Sequence, residues 1–492
     1  MRDVLKHLAA ATSLPLIFAL GCSHVEVRSP SSSSAQTPQT PQTPQTKVQL
    51  DYQRIPSFAE LEQIKYKPVP SNATQNKVEK RGFITVPLDY SRPDGPQIKV
   101  FYRLIPAYHS TPEDTSKPII VVMNGGPGIP TKVYRPMDFN YDDPSDKKNG
   151  KFDRFKFLLN DFRILLVDQR GTDGYSAPLA MDAPNLRPEF VIKYFSTDSQ
   201  AKDYLKAIET LIPQNEKFFI IAQSYGGMIG MKYLTLKSMR KPEGIVFSSS
   251  ALPFSDSKKF GSYRRKAQLE LNRQFLAAYP GADKRLISLR EHFQSQGVDP
   301  NLVNYLWDYL GHGDAGIWER ELSEKLDELA KLNTKEEIVK AMADDVGLVS
   351  LLNFILSAST NTPGYTDRTM AKMLMKEIPY ESWMLDENWA DQQVGLDGSW
   401  RQALVQALDD NPPPPVAYPS LHRVRKIIAQ NHVLFTLAQG DAMDPTELQM
   451  TEIRKFIIKG HTILKSDIPG GHNAIFTESG YHALRDWIKT IQ

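Results

Sequence analysis

The sequence predicts an α/β fold, a mostly parallel sheet flanked by helices, with a helical domain inserted before the sheet is complete. Three observations predict it. Short apolar runs recur at 118–123, 163–167, 218–222 and 244–247, without polar alternation, as in strands buried on both faces of a parallel sheet. Helical patterns lie between them, notably at 199–211 and 227–238. After Ser250 the texture turns to charged, Leu-spaced stretches such as 317–332 and 335–351. Strand-like runs return only at 432–437 and 462–468.

The remaining elements follow in order. Residues 82–86 and 98–105 read as two early strands joined through the turn-rich Asp89-Tyr90-Ser91-Arg92-Pro93-Asp94-Gly95. Asn411 and the four prolines 412–415 form a rigid connector near the end of the insertion. The expected divisions are a leader at 1–21, a tether at 22–46, a first core part at 47–250, a helical cap at 251–430 and a second core part at 431–492.

Composition narrows the function. With 59 basic and 57 acidic residues the formal net charge is +2. There is no long Lys/Arg run, so no nucleic-acid partner is expected. The lone cysteine, Cys22, excludes an intramolecular disulfide and a Cys-based metal site.

Arg2 and Lys6 precede an apolar stretch from Leu8 to Leu20 that is interrupted by Pro15. As a helix it would span roughly 20 Å, short of the roughly 30 Å hydrocarbon core, so it reads as a secretory signal rather than a membrane span. Ala19-Leu20-Gly21-Cys22 resembles a bacterial lipobox. The resemblance implies a lipid on Cys22 and removal of residues 1–21. Ser23 resembles the signal for the outer membrane of a Gram-negative cell. Thr-Pro-Gln repeats from Thr37 to Gln45 form a semi-rigid tether that cannot join a core.

The chemistry concentrates at strand ends. Ala222-Gln223-Ser224-Tyr225-Gly226-Gly227 lies between a strand and a helix, the setting in which a sharp turn presents a serine hydroxyl above a sheet. Ala222 stands where the first glycine of G-x-S-x-G is usual. Asn124-Gly125-Gly126-Pro127-Gly128 follows a strand and can turn backbone N–H groups toward a reacting carbonyl. Gly126 and Tyr225 are the expected oxyanion-hole donors. Asp168-Gln169-Arg170-Gly171 reads as a turn that braces the site. His472, in a loop directly after a strand, is the expected general base. Of the two carboxylates in Gly440-Asp441-Ala442-Met443-Asp444, Asp444 is the expected orienting acid and Asp441 a hydrogen-bonded turn residue.

Together these segments resemble the prolyl iminopeptidase and tripeptidyl aminopeptidase family of α/β-hydrolases. The resemblance runs through Val86-Pro87-Leu88-Asp89-Tyr90, the Gly-Gly-Pro-Gly loop, Asp168-Gln169-Arg170-Gly171-Thr172, Gln223-Ser224-Tyr225-Gly226-Gly227, Asp444-Pro445 and Gly471-His472. It implies an α/β-hydrolase fold with a helical cap. It also implies a peptide substrate cleaved near its N-terminus, and no metal or organic cofactor. Asp173 looks like an extra residue in the usual Gly-Thr-Gly-x-Ser stretch. The family binds the substrate's amino terminus with acidic cap residues. Leu351 to Thr360 carries no carboxylate, which leaves Glu319 and Glu321 as candidates, with Asp386 and Glu387 as others. An esterase or amidase on the same fold is the alternative, because fold and triad fix acyl transfer but not the acyl group. A binding lipoprotein without catalysis is a third reading, against which the intact Ser, Asp and His set stands.

Overall fold

The computed structural model describes residues 79–125, 131, 134–135, 153–170, 196–250, 257–298, 300, 303, 306, 310–311, 317–344, 421–442 and 444–491. The expected leader, Cys22 and the tether lie outside these residues, as do Gly126, Asp173, Asp386 and Glu387.

Eight strands form one sheet in the order β1-β2-β4-β3-β5-β6-β7-β8. They are β1 (Lys80–Pro87), β2 (Gln97–Ile105), β3 (Ile119–Met123), β4 (Arg163–Val167), β5 (Phe218–Gln223), β6 (Gly244–Ser248), β7 (Val433–Ala438) and β8 (Thr462–Ile468). Strands β1, β2 and β4 pair antiparallel at one edge, and from β4 through β3 to β8 every pairing is parallel. Each expected apolar run is a strand. The central β3, β4, β5 and β6 are buried at every position, because helices cover both faces.

Alternation sorts the side chains between two cores. Ile119, Val121 and Met123 face one, with helices α1 (Thr197–Leu211) and α2 (Gly226–Tyr233). Ile120 and Val122 face the other, with Phe155, Phe476 and the C-terminal helix, which carries Leu484 and Trp487. Helix α1 begins where Ser196 accepts a hydrogen bond from the Ser199 N–H, a side-chain cap on an otherwise unpaired donor. Helix α2 ends at Tyr233, short of the pattern that runs to Ser238. The Thr235 hydroxyl donates to the Lys232 carbonyl and closes the helix early.

Between β6 and β7 lie helices α3 (Ser257–Ala278), α4 (Ala282–Ser295), α5 (Ile317–Leu329) and α6 (Lys335–Asp344). Phe275, Leu289, Phe293, Leu322, Leu326 and Ile338 make a separate apolar cluster among them, so this layer has its own core. Among the described residues three further helices follow: α7 (Leu421–Ile428) just before β7, and α8 (Thr446–Ile453) and α9 (Glu478–Ile491) after it. Among the described residues no helix is long and apolar enough to cross a membrane.

Candidate active site

Ser224 opens the two-residue bend between β5 and α2, at φ +55°. That left-handed conformation is costly for a residue with a Cβ, and it persists only because its surroundings hold it. The Ser224 N–H donates to the Ser248 carbonyl at 3.1 Å, and the Ser250 hydroxyl donates to the Ala222 carbonyl at 2.7 Å. The end of β6 therefore clamps both sides of the bend.

Packing explains the small residues around it. A Cβ on Gly226 would lie 1.8 Å from the Met123 carbonyl oxygen, so no side chain fits where α2 starts against β3. The methyl of Ala222, unusual at its position, meets a compensating glycine: a Cβ on Gly230 would lie 2.9 Å from the Ala222 Cβ. The departure from the glycine pattern is thus accommodated one helical turn away.

The loop after β3 is fixed from both sides. Gln169 Nε2 donates to the carbonyls of Asn124 and Gly125 at 3.0 and 3.1 Å, and the Gly125 N–H donates to the Tyr134 hydroxyl at 2.9 Å. Asp168 accepts from the Thr131 N–H at 2.8 Å. Arg170 makes two 2.6 Å hydrogen bonds to Asp203, a buried bidentate ion pair that also receives the Tyr90 hydroxyl. Segment 168–170 is therefore the brace that its sequence suggests. Gly125 is pressed against the serine, since a Cβ there would lie 3.2 Å from Ser224 Oγ.

His472 follows β8 and is buried. The acid that hydrogen-bonds it is a correction to the sequence expectation. Asp441 Oδ2 lies 3.1 Å from His472 Nδ1, whereas Asp444 Oδ2 lies at 3.7 Å, outside hydrogen-bond range. The Asp444 N–H donates to Asp441 Oδ1 at 2.9 Å. Asp441 is thus both the turn residue expected and the partner of the imidazole. The cause is the turn itself, which brings the first carboxylate under the ring and leaves the second beside it. Both aspartates are buried.

Glu319 and Glu321 lie on α5 in the helical layer, each half-buried. Glu319 Oε2 is shielded from water and meets no donor among the described residues. Burial raises the Glu321 carboxyl above the usual carboxylate range. Tyr225, the residue after Ser224, is the N-cap of α2, so its N–H lies at the positive end of that helix. Its hydroxyl pairs with Thr197 at 2.7 Å. Among the described residues no cluster of His, Cys, Asp and Glu could hold a metal ion.

Sequence reasoning missed a group behind these loops. The Tyr134 hydroxyl donates to Gln223 Oε1 at 3.3 Å, and Arg154 Nη1 donates to Asn473 Oδ1 at 3.0 Å. Gln223 precedes Ser224 and Asn473 follows His472, and that adjacency was the only signal available. Tyr134 carried none.

The protein is similar to a proline iminopeptidase of Aeromonas sobria, 29% identical over 225 residues, which are 44% of this chain and 48% of that protein. The match spans about half the length of that relative. Among solved structures it is similar to esterase E22 (TM-score 0.40, 12% identity, 83% of this chain and 100% of that one). It is also similar to the homoserine O-acetyltransferase of Staphylococcus aureus (TM-score 0.38, 12% identity, 82% and 95%). The family described as the alpha/beta hydrolase fold matches residues 118–479, most of the chain. With its eight-stranded sheet and its serine on a left-handed strand–helix bend, the chain belongs to the α/β-hydrolase fold family.

Proposed function

We propose that this hydrolase is a serine enzyme that removes N-terminal residues or short units from peptides. The observation that carries the serine mechanism is Ser224 held at φ +55° at the start of α2, against the Gly125 loop. In this reading Ser224 Oγ attacks the scissile carbonyl carbon while His472 takes the hydroxyl proton through Nε2. Asp441, on Nδ1, fixes the tautomer and stabilises the imidazolium. The N–H groups of Tyr225 and Gly126 receive the oxyanion. Collapse of the tetrahedral adduct breaks the C–N bond, and His472 returns its proton to the leaving amine. Water, deprotonated by the same imidazole, then releases the acyl group and restores Ser224.

The peptide specificity rests on the partial similarity to the Aeromonas proline iminopeptidase and on Glu319. A carboxylate oxygen shielded from water, with no donor among the described residues, is costly, and a substrate ammonium would supply a partner. We further propose export and anchoring through Cys22, on the strength of the leader and tether sequence.

A panel of chromogenic substrates tests the reading. Free-amine aminoacyl and prolyl amides should be hydrolysed well, and their N-acetylated forms poorly. Glu319→Gln should cut kcat/KM for the free-amine substrates far more than for simple acyl esters. Equal turnover of acetylated or plain acyl substrates would replace the aminopeptidase with the esterase.

A further inference from the structure

We propose that Tyr134 is a positioning residue that locks the oxyanion loop to the nucleophile and to the histidine loop. The proposal rests on the serine-hydrolase reading above. The Tyr134 side chain is 3% exposed, so its hydroxyl cannot trade partners with bulk water. That hydroxyl makes two links at once. It accepts from the Gly125 N–H at 2.9 Å and donates to Gln223 Oε1 at 3.3 Å. The other end of the Gln223 amide donates to the His472 carbonyl at 3.4 Å and to Asn473 Oδ1 at 3.5 Å. One phenol and one amide thus join the loop after β3, the residue before Ser224 and the residue after His472.

The ring is held as firmly as the hydroxyl. Phe155 stacks on it at 6.0 Å, Phe476 meets it edge-on at 6.1 Å, and the Arg154 guanidinium lies 5.2 Å from its centroid. Arg154 is itself fixed by Asn473, so the anchor returns to the histidine loop. Burial holds the phenol above its ordinary titration range, and it stays a donor at every working pH.

The consequence is directional. With its N–H taken by Tyr134 and its carbonyl by Gln169, both polar groups of Gly125 are committed away from the reacting carbonyl. Tyr134 thus holds the N–H side of Gly125 and Gln169 its carbonyl, so the residue beside Ser224 is fixed from both ends. Preorganised donors are worth more than donors that must reorient during reaction.

The test compares Tyr134→Phe with the parent on p-nitrophenyl acetate, and by the rate at which a fluorophosphonate labels Ser224. The variant keeps the ring and its packing but leaves the Gly125 N–H and Gln223 Oε1 without the shared partner. The expected result is a kcat lower by about 10- to 100-fold with KM within about twofold, and labelling slowed in parallel, since the phosphonyl oxygen occupies the same pocket. Gln223→Met removes the other end of the link and should reproduce the loss if Tyr134→Phe folds poorly. An unchanged kcat in both Tyr134→Phe and Gln223→Met, or a loss expressed only in KM, overturns the proposal. Failure of the parent protein to be labelled at Ser224 overturns the serine reading, and this proposal with it.

Discussion

Asp441 and Asp444 approach one imidazole, and only Asp441 bonds it: its Oδ2 lies 3.1 Å from His472 Nδ1, and the nearer oxygen of Asp444 lies at 3.7 Å. The two acids therefore differ in what their loss does. Asp441→Asn offers an amide where Nδ1–H needs an acceptor, which favours the wrong tautomer; turnover should fall by up to about 10⁴-fold, the loss known for the same change in trypsin. Asp444→Asn keeps the turn and the bonded acid, and should cost about tenfold or less through weaker stabilisation of the imidazolium. Steady-state kinetics of the two single variants decide between them. A greater loss in Asp444→Asn would return the orienting role to Asp444.

A buried charge cluster at the sheet edge sets a pH dependence of stability. Burial alone would raise the Glu79 carboxyl, but Arg103, Arg81 and Arg135 together hold it below the usual carboxylate range. Arg103 binds it through Nε and Nη2, both at 3.0 Å, and also donates to the Arg135 carbonyl at 2.6 Å. A carboxyl depressed in the folded state stabilises that state above its unfolded pKa, and the contribution fades as pH falls through its folded value. Urea titrations should therefore find Glu79→Gln destabilising near pH 7, with the difference from the parent shrinking steadily below about pH 4. A difference independent of pH would mean that Glu79 contributes packing and not charge.

The strands and the strand–helix bend at Ser224 were legible because their signals are local. A buried parallel strand is a short apolar run, and Gln223-Ser224-Tyr225-Gly226-Gly227 carries its turn within five residues. The choice of acid was not local. Asp441 and Asp444 sit in one turn, and which of them meets His472 depends on how that turn lies against residues 470–472, thirty positions away. The end of α2 depended on a side chain, Thr235, competing for a backbone carbonyl. Tyr134 was invisible for a stronger reason. Its role exists only because the loops after β3, β5 and β8 converge, and no spacing in the chain records that meeting.

The helical layer also reaches the loop that carries His472. The Gly311 carbonyl accepts the His472 N–H at 2.5 Å, so a segment of the inserted layer fixes the backbone of the expected base. Gly311 can do so only as glycine. Its φ is +85°, and a Cβ there would lie 2.8 Å from the Gly440 carbonyl oxygen and 2.9 Å from Leu271 Cδ1. Gly311→Ala must relieve both contacts by moving the segment off the loops that carry Asp441 and His472. The strained backbone should cost about 1–3 kcal/mol of stability, measurable by urea titration. Turnover should fall further than that destabilisation explains at temperatures where the variant is fully folded, because the His472 N–H loses its acceptor. Phosphonylation of Ser224 should slow with it, since in the proposed mechanism the same imidazole activates the serine. Full activity in a folded Gly311→Ala protein would mean that the histidine loop keeps its geometry without the cap, and that the layer acts only on substrate access.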